Sequence, residues 1–323
     1  MVNLLDTLEV KGLPLKNRLV LPPMQTSLAT AKGGVTEKLI KYYVQRSQDL
    51  GLVIVEHSYI SPEGRVNDKQ LGIYNDSLIL GLETLSSQVH STGTPIVIQI
   101  NHAGRKASKN VTGLQPVAPT ATESARELAE DEIRPLIDQY VVAAARAVKA
   151  GFDGVEVHGA HGFLLNQFYS PLANLRTDSY GGSLENQMRL PLEIVRQVRK
   201  IIGKRLLLYR LGVVDLVSTG IQVDDSKLFA RKLEDAGVDI IDISGGLCGS
   251  RPAQLEKTQG FFIPQAHTIR HVVDVPVIGV GGIRDPGYAN RLIMEETVDL
   301  VAVGRPILND ATWATNFLNE LQI

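Results

Sequence analysis

Two histidines, His158 and His161, stand three residues apart just past the short apolar run at 154–157. At a strand's end, two imidazoles can aim two N–H donors at one small electronegative atom, and both titrate near neutrality. Three readings of the pair are open. A zinc site would want a third ligand and a His-Glu-x-x-His or cysteine-bearing pattern, which the chain lacks. A structural pair would be satisfied by loop carbonyls. A substrate anchor would polarise a carbonyl and stabilise the charge that develops on its oxygen. The loop that follows is long and rich in Asn, Arg, Ser and Gly, and such loops in compact domains are more often functional than decorative.

The elements that must hold these residues alternate along the chain. Apolar runs at 18–21, 52–55, 96–100, 154–157, 206–210, 240–243, 277–280 and 300–303 are rich in Val, Ile and Leu without alternating polarity, as expected of parallel strands buried on both faces. Helical stretches at 37–49, 78–91, 136–150, 184–202, 224–236, 264–272 and 286–294 separate them. Asp131 and Glu132 suit a helix's first turn, and Gly151, Gly203 and Gly237 follow helix ends. Eight strands with intervening helices and no domain break predict an α/β fold, a single (β/α)8 TIM barrel over 1–323, in preference to a doubly wound sheet. A capping excursion falls at about 106–134, and its charged stretch 121–134 is expected to be a solvated loop entering a helix.

A barrel of this kind places its chemistry in the loops after the strands. Those positions hold Pro22, Pro23, Met24 and Gln25; Glu56, His57 and Ser58; Gln99 through Arg105; His158 to Phe163; Arg210; Ser244-Gly245-Gly246; Gly281 and Gly282; and Gly304 and Arg305. The last two pairs follow strands seven and eight, where barrels bind phosphate through backbone N–H groups. Their glycines admit a phosphate to the backbone, and Arg305 supplies charge. Arg210 is always charged, and a barrel-mouth position turns it toward a ligand.

Composition narrows the rest. The 323 residues are 44% hydrophobic and 21% charged, with formal charge −2, an ordinary globular balance without a nucleic-acid footprint. No apolar run approaches a membrane span, and the first residues lack the regions of a signal peptide. The lone cysteine, Cys248, forms no internal disulfide and has no His or Lys neighbour in sequence, so it is expected to be non-catalytic in a reducing cytoplasm.

From Gly154 to Arg189 the chain resembles the Old Yellow Enzyme family of FMN-dependent ene-reductases. The resemblance rests on His158-Gly-Ala-His161-Gly, Leu-Leu-Asn-Gln-Phe, Ser170-Pro, Asn174, Arg176-Thr-Asp178, Tyr180-Gly-Gly-Ser and Glu185-Asn-Gln-Met-Arg189. It implies FMN as cofactor and His158 and His161 as the substrate anchor. It also implies Gln99 at the flavin's pyrimidine edge, Arg210 beside the charge of the reduced flavin, and the backbone of Pro22, Pro23, Met24 and Gln25 against the ring. Three positions depart from the family. Phe163 stands where most active members have a proton-donating tyrosine. Gln25 stands where one branch has a redox-tuning cysteine, and His57 where a small residue is usual. Phe cannot donate a proton, which leaves water, His57, Tyr59 or Tyr74 as substitutes, or an acceptor that needs no such donor.

The function expected is an FMN oxidoreductase working in two half-reactions. NADH or NADPH would serve as a transient reductant, since no Gly-x-Gly-x-x-Gly fingerprint follows any strand. The acceptor would be a small electron-poor molecule: an activated alkene, a quinone or a nitro compound. The alternative is a flavin-binding protein with little turnover, a sensor or pseudoenzyme. No nucleic-acid or membrane partner is expected. A homo-oligomer is expected, although the basic C-terminal tail of some family members is missing from the residues that end at Ile323.

Overall fold

A computed structural model of the chain describes residues 2–322. The eight expected runs form strands β1 (Leu19–Leu21), β2 (Leu52–Tyr59), β3 (Ile96–Asn101), β4 (Gly154–Gly159), β5 (Leu206–Gly212), β6 (Ile240–Ser244), β7 (Val277–Gly279) and β8 (Leu300–Ala302). All are parallel, each pairs with its neighbours in chain order, and β8 returns to β1 to close the barrel. Around it run α1 (Glu37–Ser47), α2 (Ile79–His90), α3 (Glu130–Lys149), α4 (Leu164–Tyr169), α5 (Leu184–Ile202), α6 (Val223–Asp235), α7 (Ile263–Arg270), α8 (Pro286–Met294), α9 (Arg305–Asn309) and α10 (Trp313–Asn319).

The strands look uniformly apolar because they serve two cores. Val53 and Val55 of β2, and Leu207 and Tyr209 of β5, pack outward against the helices. Leu52, Ile54, Leu206 and Leu208 pack inward with Val20, Val97, Ile240, Ile278 and Leu300. Side chains alternate faces with a period of two, so each inward row can be continued toward the strand's C-terminal end. Val97 leads to Gln99, Leu208 to Arg210, and Ile240 to Asp242 and Ser244. The same row of β4 carries Glu156 and His158. The apolar interior thus ends in a polar layer, which is where the site must lie.

Helix α4 interrupts the long loop expected after His161, α9 and α10 add to the expected helices, and three further differences have plain physical causes. A hairpin of Leu8–Val10 with Leu13–Leu15 precedes β1, and its Val10 and Leu15 plug the opposite end of the barrel. α3 begins at Glu130, not at 136, although Pro135 interrupts one of its backbone bonds. The Glu132 carboxylate accepts the Ala129 N–H at 2.8 Å and so starts the helix ahead of the proline. β2 runs to Tyr59, past its expected end at 55, with a register shift against β3 between Val55 and Ser58. That bulge sets Glu56 and His57 into the barrel wall. The excursion after β3 contains a one-turn helix at Lys109–Thr112 and a two-stranded parallel ladder of Val117–Ala118 with Arg126–Glu127. Among the described residues no helix is long and apolar enough to cross a membrane.

Candidate active site

The floor of the site is a buried polar cluster. Gln99, Glu156, Arg210 and Asp242 are at most 5% exposed. Gln99 Nε2 donates to Glu156 Oε1 at 2.7 Å. Arg210 Nε lies 3.3 Å from Asp242 Oδ2, but without the alignment of a hydrogen bond. Glu156 Oε2 and both Asp242 oxygens find no donor among the described side chains. One proton shared between the two carboxyls resolves this, because burial raises both pKa values and Asp242 pushes Glu156 higher still. Glu156 is then the protonated partner, and Asp242, facing the guanidinium, carries the charge. Arg210 is thus paired inside the barrel and makes no surface ion pair.

Above the floor stand the histidines. His158 is 2% exposed, and its Nδ1 is buried without a partner. Its ring lies 5.1 Å from that of His161, nearly perpendicular to it. His161 has φ +58°, a left-handed backbone that costs a non-glycine residue about 1–3 kcal/mol and persists only where neighbours impose it. They do so here. Its N–H donates to Gly245 O at 3.0 Å, its Nε2 is 2.7 Å from Ser244 Oγ, and its carbonyl accepts Lys106 Nζ at 2.5 Å. Burial holds both imidazoles well below the usual histidine pKa, and Arg210, His57 and Lys106 lower each further. The two are neutral at pH 7, so each offers an N–H and no charge.

His57 completes the ring cluster, 5.3 Å from Phe163 and 6.3 Å from His158. Gln70 Oε1 accepts the Val66 N–H, which turns Gln70 Nε2 toward His57 Nδ1 at 2.9 Å. The ring hydrogen is therefore on Nε2, facing Gln25 Oε1 at 3.2 Å. Both nitrogens are used, so His57 does not serve as a proton source. Burial, then Arg210, lowers its pKa from 6.5 to about 4. Between those values the unfolded chain binds a proton that the folded chain refuses, so stability falls as pH drops through this window. The penalty at pH 5 is about 2 kcal/mol. Urea unfolding at pH 7 and pH 5 tests it: a His57→Gln variant should lose about that much less on acidification than the parent. An equal acid loss in both would place the titration elsewhere.

A cavity of about 730 Å³ runs from Arg210 and Ser244 past Pro22 and Met24 to Gly281, Gly282, Gly304 and Arg305. Neither histidine lines it: His161 reaches it through Ser244, and His158 stands beside its lining residue Arg210 in the strand register. Pro23 and Gln25 are chain neighbours of its lining residues Pro22 and Met24, and Gln99 is not among the lining residues. None of the amides of Gly281, Gly282, Gly304 and Arg305 donates a hydrogen bond among the described residues. Gly281 has φ +130°, and a Cβ there would meet Phe261 N at 2.7 Å. Four free amides with an arginine fit a phosphate. Arg210 lines the other end, where its guanidinium fits the polar edge of a ring. On both counts the cavity suits FMN.

Sequence reasoning missed Glu156, Asp242 and Lys106. The first two had a signal, since a carboxylate inside a buried apolar strand needs a partner. Lys106 had none, because its place over Phe163 follows from the fold alone: Nζ is 5.5 Å from that ring's centroid. Burial and Asp215 raise the Cys248 thiol to about 11, which suits a residue without a catalytic role.

Known proteins resemble this chain along nearly its whole length. The model of the NADH:flavin oxidoreductase / NADH oxidase family matches residues 3–322. The NADH oxidase of Thermoanaerobacter brockii is 41% identical over 96% of the chain, but the chain spans only 50% of that relative. The NADPH dehydrogenase of Clostridium acetobutylicum is 36% identical, over 96% of the chain and 92% of the relative. The solved Old Yellow Enzyme homologue of Zymomonas mobilis superposes with a TM-score of 0.87 at 29% identity, over 99% of this chain and 93% of that one.

Proposed function

The chain belongs to the NADH:flavin oxidoreductase / NADH oxidase family, and from that premise we propose that it is an FMN enzyme which reduces an electron-poor small molecule with NADH or NADPH. The observation that carries this is a pocket with four unpaired amides beside Arg305 at one end and Arg210 and Ser244 at the other, where Ser244 meets His161 of the neutral histidine pair. FMN, when bound, supplies reversible two-electron exchange between a nicotinamide and an acceptor. Gly281, Gly282, Gly304 and Arg305 hold its phosphate. Pro22, Pro23, Met24 and Gln25 wall the ring, and His57 buttresses Gln25. Arg210 offsets negative charge at the pyrimidine edge, with Gln99 oriented by Glu156 beneath it. His158 and His161 hold the acceptor's oxygen and stabilise the charge that gathers on it.

Phe163 favours a second reading, a flavin-binding protein with little turnover, because a phenyl ring supplies no proton. Anaerobic stopped-flow at the flavin absorbance separates the two. The enzyme reading expects rapid bleaching by NADH or NADPH, then rapid recovery with at least one of an enone, a quinone or a nitro compound. Slow bleaching by both nucleotides, or no recovery with any acceptor, would leave the second reading standing.

A further inference from the structure

Phe163 removes the usual phenol, yet the structure keeps a proton beside it. We propose that Lys106 is the proton donor of this site, delivering its ammonium proton to the α-carbon of an activated alkene held by His158 and His161. This rests on the function proposed above. The lysine stem folds down over the turn that carries the anchors. A Cβ on Gly162 would lie 3.1 Å from Lys106 Cε and 3.2 Å from Nζ, so the glycine makes room for it. Nζ is fixed by the His161 carbonyl at 2.5 Å and stands 5.5 Å from the Phe163 ring centroid. That carbonyl is its only hydrogen-bond partner among the described residues, so two N–H groups remain for a substrate.

The other donors near the ring are spent. The His57 hydrogen faces Gln25. His158 and His161 are neutral and engaged by the acceptor's oxygen. Tyr59 and Tyr74 stack on each other at 5.0 Å, and neither pairs with Phe163 or the histidines. The Cys248 thiol faces Val214 O at 3.2 Å. Lys106 is also a stronger acid than a free ammonium, because burial and then Arg105 lower its pKa.

The step balances. The alkene's β-carbon accepts a hydride that originates from NADH or NADPH, so its π bond is lost and an enolate forms. The α-carbon then takes H⁺ from Lys106. The neutral amine left behind regains a proton from water, which reaches this only partly buried side chain.

The test compares the FMN-loaded parent with Lys106→Met, which keeps the stem, and Lys106→Arg, which keeps the charge but is too weak an acid. FMN affinity, read by fluorescence quenching, should be unaltered in both. Formation of reduced product from cyclohexenone relative to that from a benzoquinone, whose new protons sit on oxygen, should fall at least ~10²-fold in both, the scale of a lost general acid. In D₂O the parent should place the α-deuterium of a 2-methyl enone on one face, and the variants should lose that preference. An undiminished enone-to-quinone ratio in both variants overturns the proposal. So does a parent that reduces quinone but no enone, or one that scrambles the α-deuterium; in those cases the oxidoreductase reading survives. A parent that reduces neither acceptor sinks both.

Discussion

A His158→Ala variant should keep its flavin and lose ~10²–10³-fold in the acceptor half-reaction, the measured scale for one preorganised donor at a developing oxyanion. The geometry supports so large a factor. His158 is 2% exposed, one of its nitrogens is buried without a partner, and its ring stands perpendicular to that of His161 at 5.1 Å. A donor already desolvated and aimed pays no reorganisation when charge appears. His158→Asn keeps an amide N–H at the same strand end and should recover part of the rate. Because burial and neighbouring positive groups hold its pKa well below the usual value, the acting form is the neutral ring. The rate of flavin reoxidation should therefore stay level as pH falls through 6.5. A loss centred there would mean that the ring titrates normally, and an intact rate in the alanine variant would remove His158 from the site.

The fold was legible because each βα unit repeats the same contrast of apolar run and amphipathic stretch. The observed limits of α5 and α8 coincide with the expected 184–202 and 286–294. The leading hairpin was not legible: its strands have three residues each, and Pro14 lies in one of them. In the site, the residues at strand ends were found because a barrel dictates where to look. Glu156 and Asp242 lie one step inside those ends, on strands that flank β5, and meet only once the barrel closes. His57 was legible as a residue but not as a state, since its tautomer depends on Gln70 and thereby on Val66, both within the loop after β2.

The buried charge cluster supports the second large effect. An Arg210→Met variant should lose about 3–5 kcal/mol of stability, the usual cost of leaving a buried charge without its partner. Asp242 is fully buried, and among the described residues Arg210 is the one cation set against it, at 3.3 Å. Hydrophobic replacement of the guanidinium alone leaves two carboxyls facing each other in the barrel. The sign of the pH dependence identifies the cause. A carboxyl whose folded pKa is raised carries no penalty below its unfolded value of ~4, where both states are protonated. As pH rises above that, the unfolded chain releases a proton that the folded chain retains, so stability is lost until the folded pKa is passed. Removing Arg210 pushes both carboxyls up and lengthens that window. Urea unfolding should therefore show the variant closest to the parent near pH 4 and furthest from it above pH 7. Relief of His57, whose pKa Arg210 lowers, narrows the acid gap in the same direction. Adding Asp242→Asn removes the stranded charge and should restore much of the loss at neutral pH. A deficit that is equal at every pH, or that Asp242→Asn deepens, would mean that Arg210 acts through packing of its stem and not through charge.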